Sequence, residues 1–306
     1  MKERAFIIAD VFAETPFAGN QLAVFTDGRD LSDADMQAAA NEMNYSETTF
    51  VLPPESPDCD VQLRIFTPQV ELPFAGHPIV GSGFVAAIRN LVPCAPSVIR
   101  FGTGVGVIDV AVDIDSNRSG RAMMRQPIPK LVAELHDDAS AAHVASALGI
   151  SRDQIDSGRS PVAVMDNGLP MMIVPLDGLP SVRALNPNQH ALRLMAEAHG
   201  VKTVLAFTTE TVHPDSSVHC RVFAPGAGVT EDPATGSANG PLGVYLTRYG
   251  RVRTDEMLSE QGYEMGRPSA LKIVVSRNDD GDVQSVHVGG GVFVVAEGTM
   301  FFEGSR

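Results

Sequence analysis

The sequence predicts an α+β fold built from two similar halves. Three observations carry that prediction: a strand motif that occurs twice, an apolar helix opening on glycine after each copy, and short β-branched strands around both.

The strand motif reads LRIFTP at Leu63–Pro68 and CRVFAP at Cys220–Pro225. Each copy is followed by a second proline, a glycine and an apolar helix, PFAGHPIVGSGFVAAIRN in the first half and PATGSANGPLGVYLTRYG in the second. The spacing is 157 residues from Arg64 to Arg221 and 160 from Gly76 to Gly236. Upstream elements keep nearly the same offset. SDADMQAAANEMN, from Ser32, has a capping-box start, with Asp35 three residues after Ser32. NPNQHALRLMAEAHG, from Asn186, places Pro187 in its first turn and Gly200 at its end. The strands TTFVL and TVLAF follow, and two strands joined by a Gly/Pro turn precede each helix. The stretch from about Pro127 to Ser160 reads as a connector with one short helix, and LKIVVS, VQSVHVGG and VFVVAEG supply the last strands.

A helix that is apolar all round belongs inside. Gly81 and Gly83 cost roughly 1 kcal/mol each against alanine, so the first of these helices is expected to gain close approach of neighbouring backbone in return.

Composition limits the partners. The chain has 306 residues and a net charge of -14, and a field of that sign repels nucleic acid and anionic membrane surfaces. The N-terminus lacks the apolar stretch of a secretory signal, and no run reaches the length of a membrane span. Three cysteines, Cys59, Cys94 and Cys220, form no CxxC pair. Free thiols in a reducing, cytoplasmic compartment are expected.

The repeated positions belong to the repeated fold, so polar residues present in one half only are the candidates for function. Glu47 corresponds to Val204, His77 to Ser237, and Asp232 to Leu72. Each also has a structural reading: Glu47 as a solvated carboxylate, His77 as a helix cap, Asp232 as a turn residue before Pro233, Ser237 as an N-cap. If the two helix starts face one cleft, their unpaired N–H groups and positive dipole ends would grip a small carboxylate. A glutamate desolvated there would have its pKa raised into the range of proton transfer.

Other chemistries find no signature. GTGVG near Phe101 is followed by alternating β-branched residues instead of a helix, so it reads as a strand-turn-strand and not a dinucleotide loop. There is no Walker motif, no GxSxG elbow and no HExxH. His213, Asp215 and His219 read as a solvated loop and not a metal site. No cofactor is expected.

These residues resemble the PhzF-like family, named for the phenazine-biosynthesis isomerase. The matching stretches are DVFAETPFAGNQLAVF, MNYSETTFVL, RIFTPQVELPFAGHPIVGS, DPATGSANGPLGVYL and QGYEMGRPS. The resemblance implies the fold of diaminopimelate epimerase: two pseudo-symmetric lobes, each a barrel-like sheet around a central helix, with the active site between them. It divides the chain into a first lobe, 1–127 with 290–306 returning to it, and a second, 128–289. It implies catalytic roles for Glu47, His77 and Asp232, substrate contacts from Ser237 and the amides near Gly76 and Gly236, a cytoplasmic biosynthetic enzyme, and a homodimer. Asn20 and Gln21 are expected substrate contacts; Gln21 stands where many relatives carry proline. The epimerases' paired cysteines are missing from both helix starts.

The function expected is a cofactor-independent isomerase that shuttles a proton on a small amino- or hydroxy-acid-like carboxylate. A non-catalytic small-acid-binding or regulatory protein, or a hydrolase or lyase using the same acid-base residues, are the alternatives.

Overall fold

The computed structural model describes residues 2–92 and 97–303. In chain order the elements are β1 (Lys2–Val11), β2 (Asn20–Phe25), α1 (Asp33–Met43), β3 (Glu47–Leu52), β4 (Val61–Phe66), β5 (Glu71–Leu72), α2 (Gly76–Ile88), β6 (Val98–Thr103), β7 (Gly106–Ile114) and β8 (Ser119–Gln126). There follow β9 (Lys130–Leu135), α3 (Asp138–Leu148), β10 (Val162–Asp166), β11 (Met171–Pro175), α4 (Leu179–Ala184), α5 (Gln189–Ala198), β12 (Thr203–Thr208), β13 (Val218–Ala224) and β14 (Val229–Asp232). The last are α6 (Gly236–Arg248), β15 (Glu256–Gln261), β16 (Ser269–Arg277) and β17 (Val283–Phe302). The chain divides into two compact units, Met1–Arg125 with Gly289–Arg306, and Gln126–Val288.

The first unit is a closed barrel. Strands β1, β2, β3, β4, β6, β7, β8 and β17 pair in that order, and β17 returns to β1 through Lys2↔Phe302 to Val11↔Val292. Helix α2 runs inside it, with every residue from Gly76 to Ala87 buried. A Cβ on Gly81 would lie 2.6 Å from both Leu22 Cδ2 and Val11 Cγ2, and one on Gly83 2.6 Å from Val110 Cγ1. The two glycines therefore let β1, β2 and β7 close on the helix. Outside, α1 covers the stacked rings of Phe25 and Phe50, and Ser32 and Asp35 form the expected capping box.

The second unit repeats the pairing. β10–β11 is antiparallel, β11–β12 parallel, β12–β13 antiparallel, β13–β15 parallel and β15–β16 antiparallel, as are β1–β2, β2–β3, β3–β4, β4–β6 and β6–β7. Helices α2 and α6 each span 13 residues. Gly243, 160 positions after Gly83, has Ile273 Cγ2 at 2.5 Å from its would-be Cβ. Even the ion pairs repeat. Arg64 binds Glu71 through two hydrogen bonds of 2.7 Å, and Arg221 binds Glu231 through bonds of 2.8 and 2.9 Å. Each guanidinium also lies over a phenylalanine ring two residues on, Phe66 and Phe223.

Some local expectations change. The stretch expected as a connector carries β9, which pairs with β10 and belongs to the second unit's sheet. Pro187 precedes α5 instead of lying in its first turn; Asn188 is the N-cap and accepts from Ala191 N. Neither His77 nor Ser237 caps a helix, because Ala75 and Thr235 occupy those positions. GTGVG is the β6–β7 turn, as its flanking pattern indicates. Cys59 and Cys220 are buried free thiols, and Cys94 lies outside the described residues. No helix among the described residues is long and apolar enough to cross a membrane.

The largest departure is His219, which sits on β13 and not in a solvated loop. Its side chain is fully buried, with Nδ1 2.8 Å from Glu260 and Nε2 3.0 Å from Glu264. Glu260 also accepts the backbone N–H groups of Val212 and His213, at 2.8 and 2.7 Å. Burial alone would push the imidazole pKa down, but the hydrogen bonds to Glu264 and Glu260 outweigh it and hold His219 above its ordinary value. Burial likewise raises both carboxyls, and their hydrogen bonds bring them below theirs. His219 lies between two carboxyl groups, one on each ring nitrogen, and both favour its charged form.

Two outcomes follow. Gly83→Ala gains helix propensity of about 1 kcal/mol but must displace Val110, an overpacking cost of about 1–3 kcal/mol. A net loss of stability, seen as a lower thermal midpoint, is expected; an unchanged or raised midpoint would show that the barrel yields freely. Replacing His219 by leucine removes the ring that bridges buried Glu260 and partly buried Glu264 and should cost about 3–5 kcal/mol. The raised His219 pKa makes its stabilisation complete below the usual 6.5 and lost as pH rises through the higher folded value. The lowered glutamates make theirs complete above the usual 4.5 and lost as pH falls further. Denaturation measured against pH should show the largest wild-type advantage between those limits, and a pH-independent difference would refute the ion triad.

Candidate active site

In the first unit, the strand-to-helix geometry brings three of the expected residues together. Glu47 opens β3, and the alternation of a strand puts it on the same face as Thr49. The Thr49 hydroxyl lies 2.9 Å from that of Ser82 in α2, a buried polar tie that sets β3 against the helix. Glu47 Oε2 consequently stands 3.5 Å from Nε2 of His77, the second residue of α2. Asn20, at the head of β2, is 1% exposed and its amide nitrogen lies 3.1 Å from His77 Nδ1.

With the Asn20 amide nitrogen as the donor, Nδ1 accepts and the proton of the neutral ring falls on Nε2, facing Glu47. Burial, which outweighs a hydrogen bond with the Gln21 backbone, pushes the His77 pKa down to about 3. The positive end of α2 acts in the same direction as burial. His77 is thus a buried ring held in its neutral form, with the Glu47 carboxyl beside it. Gly76, buried at the helix start, adds first-turn backbone N–H groups with no partner in the helix. Gln21 is half-buried and pairs with Asp10 in the β1–β2 ladder.

The second unit gathers the others. Asp232 ends β14, and the Thr235 hydroxyl donates to its Oδ2 at 2.5 Å. Gln261, at the end of β15, makes four hydrogen bonds here: its Nε2 donates to the Asp232 carbonyl at 2.6 Å and to the Thr235 hydroxyl at 3.0 Å, and its Oε1 accepts from Thr235 N at 3.0 Å and Asn239 Nδ2 at 3.1 Å. Gly236 and Ser237 are the first two residues of α6, both buried. Asp232 is therefore more than a turn residue before proline: its carboxylate meets the hydroxyl of the helix N-cap.

Glu47, His77 and Asp232 are polar in one half only, and so are some of the residues that support them. Thr49 and Ser82 correspond to Ala206 and Leu242, and Asn239 to Ile79; applied at every repeated position, the same comparison would have found them. Gln261 had no such signal, because its role depends on where β15 ends. Among the described residues no group of three or more His, Cys, Asp or Glu could hold a metal ion.

Comparison with known proteins places the chain in a family. The family model described as phenazine biosynthesis-like protein matches residues 9–298. An uncharacterized isomerase from Mesorhizobium japonicum is 34% identical over 310 residues, covering 98% of this chain and all of its own. The trans-2,3-dihydro-3-hydroxyanthranilate isomerase of Pseudomonas aeruginosa is 33% identical, covering 97% of this chain and 99% of its own. The crystal structure of a phenazine biosynthesis protein of the PhzF family from Bacillus anthracis superposes with a TM-score of 0.87 at 25% identity, over 99% of this chain and all of that one. With the family model matched over nearly its whole length and isomerases among its relatives, the chain belongs to the phenazine biosynthesis-like PhzF family and is an isomerase.

Proposed function

We propose that the protein isomerises a small cyclic or branched carboxylate by moving one proton between two of its carbons, with Glu47 as the carrier and no cofactor. The observation that supports this most directly is the pairing of Glu47 with a histidine held neutral. A histidine with a pKa near 3 is deprotonated at neutral pH and takes up no proton there, so the acid-base work falls to the carboxylate. His77 Nε2–H then serves to hold and orient that carboxylate, or to donate to a substrate oxygen. Glu47 removes a proton from one carbon, the electron pair shifts along the substrate's double bond, and the same carboxyl returns a proton at the far carbon.

The N–H groups at Gly76, and in the second unit those at Gly236 with the Ser237 hydroxyl, are suited to a substrate carboxylate. Asp232 serves to keep a substrate amine or hydroxyl in place. The Pseudomonas relatives are named for trans-2,3-dihydro-3-hydroxyanthranilate, which carries a carboxylate, an amine, a hydroxyl and a diene. Compounds of that class are the first substrates to try, and the protein is expected to work in the cytoplasm as a homodimer.

Incubation with such substrates in D2O should place deuterium on carbon with the wild type, without change in the product's heavy-atom composition. Glu47→Gln should lower the rate by about 10²–10⁴-fold, the usual worth of a general base. Undiminished exchange in that variant would overturn the role of Glu47; a product of altered composition would favour a hydrolase or lyase. A second test concerns protonation. NMR of ¹⁵N-labelled His77 should show a neutral ring with the proton on Nε2 from pH 5 to 8, and the rate profile should carry no ionisation from it. A His77 titration within that range would refute the division of labour.

A further inference from the structure

Helix α6 carries a proline at an interior position, Pro241. Proline has no N–H, so the carbonyl four residues back, that of Ser237, loses its helical donor, and the ring crowds that same oxygen. The carbonyl is nonetheless satisfied. Asn167, from the turn between β10 and β11, donates through Nδ2 to Ser237 O at 2.9 Å. Gln126 donates through Nε2 to the preceding carbonyl, Gly236 O, at 2.7 Å. The two amides are locked to each other, Asn167 Nδ2 to Gln126 Oε1 at 3.1 Å, and both residues are 3% exposed. Gly240 makes the room, since a Cβ there would fall 2.1 Å from Gln126 Oε1. In the first unit, α2 has Gly81 at the place of Pro241 and keeps its N–H.

We propose that Asn167 is a positioning residue for Ser237. Its side-chain amide stands in for the N–H that Pro241 lacks, and so fixes the peptide and hydroxyl of Ser237 in the first turn of α6. The inference rests on the reading that Ser237 holds the substrate carboxylate. The helix start gains a donor that comes from a turn outside the helix, so the direction of the Ser237 carbonyl is set by the β10–β11 turn and not by the helix alone.

The test is a double-mutant cycle, Asn167→Ala with Pro241→Ala, because alanine at 241 restores the missing N–H. Thermal unfolding should show Asn167→Ala lowering the midpoint by about 3–6 °C, and Pro241→Ala should recover at least half of that loss. Additive effects would overturn the pairing. Affinity for 3-hydroxyanthranilate, the stable aromatic counterpart of the relatives' named substrate, should fall about 5–10-fold in Asn167→Ala and return in the double variant. Coupled stabilities with unchanged affinity would overturn the positioning role. Ser237→Ala separates the two readings: if it leaves affinity untouched, it is the assignment of Ser237 that has failed. If the wild type does not bind the probe, the substrate reading fails and the thermal cycle alone decides the pairing. Should Asn167→Ala not fold, Asn167→Ser takes its place in the cycle with the same expected rescue by Pro241→Ala.

Discussion

The structure of each unit depends on the distance at which strands can approach a buried helix. Side chains on both partners would normally hold a helix about 10 Å from a sheet, too far to wrap a small barrel around a helix only 13 residues long. Gly81 and Gly83 remove that spacing on two sides of α2, where Leu22, Val11 and Val110 fill the space a Cβ would take. Gly243 does the same in α6 against Ile273. The consequence reaches the chemistry. Because α2 is enclosed, its first turn is enclosed too, and His77 and Glu47 meet where water is scarce enough to hold the imidazole neutral.

Duplication explains why the two units share a frame, and asymmetry explains what each does with it. The Arg64–Glu71 and Arg221–Glu231 pairs, the glycine at each helix start and the same order of parallel and antiparallel pairings appear in both. The polar ties at the helix starts do not. The first unit joins helix to strand through Thr49 and Ser82. The second uses carboxamides, Gln126, Asn167 and Gln261, around a helix interrupted by Pro241. A repeated fold has two equivalent helix starts, and here one carries the Glu47–His77 pair while the other is built from carboxamides.

Much of this was legible from residues alone, because the signals were local or repeated. The two halves followed from a fixed offset, the buried helices from their lack of a polar face, and Glu47, His77 and Asp232 from being unmatched in the other half. What escaped depended on contacts between residues far apart in sequence. His219 looked like part of a polar loop because its neighbours His213, Asp215 and Ser216 are polar; only strand pairing reveals that Glu260 and Glu264 enclose it. The helix caps were misplaced by two residues at both α2 and α6. Glycine and proline there dominate the pattern, while Ala75 and Thr235, the true N-caps, make no side-chain capping bond. Asn167 gave no hint, since the need it meets arises 74 residues later at Pro241.

The two buried histidines show how the same side chain is given opposite charge states. His219 has carboxyl groups at 2.8 and 3.0 Å, one on each nitrogen, so both nitrogens are placed to donate and the cationic ring is favoured. His77 has a single carboxylate at 3.5 Å and an amide donor on its other nitrogen. The Asn20 amide lies against Nδ1, and burial, which outweighs a hydrogen bond with the Gln21 backbone, lowers the His77 pKa. The helix dipole adds to this, because His77 sits at the positive end of α2 whereas His219 lies in a strand. Charge at His219 therefore serves cohesion, tying β13 to β15 and to the loop at Val212 and His213. At His77 burial favours the neutral ring, which faces the Glu47 carboxyl at the start of the first buried helix.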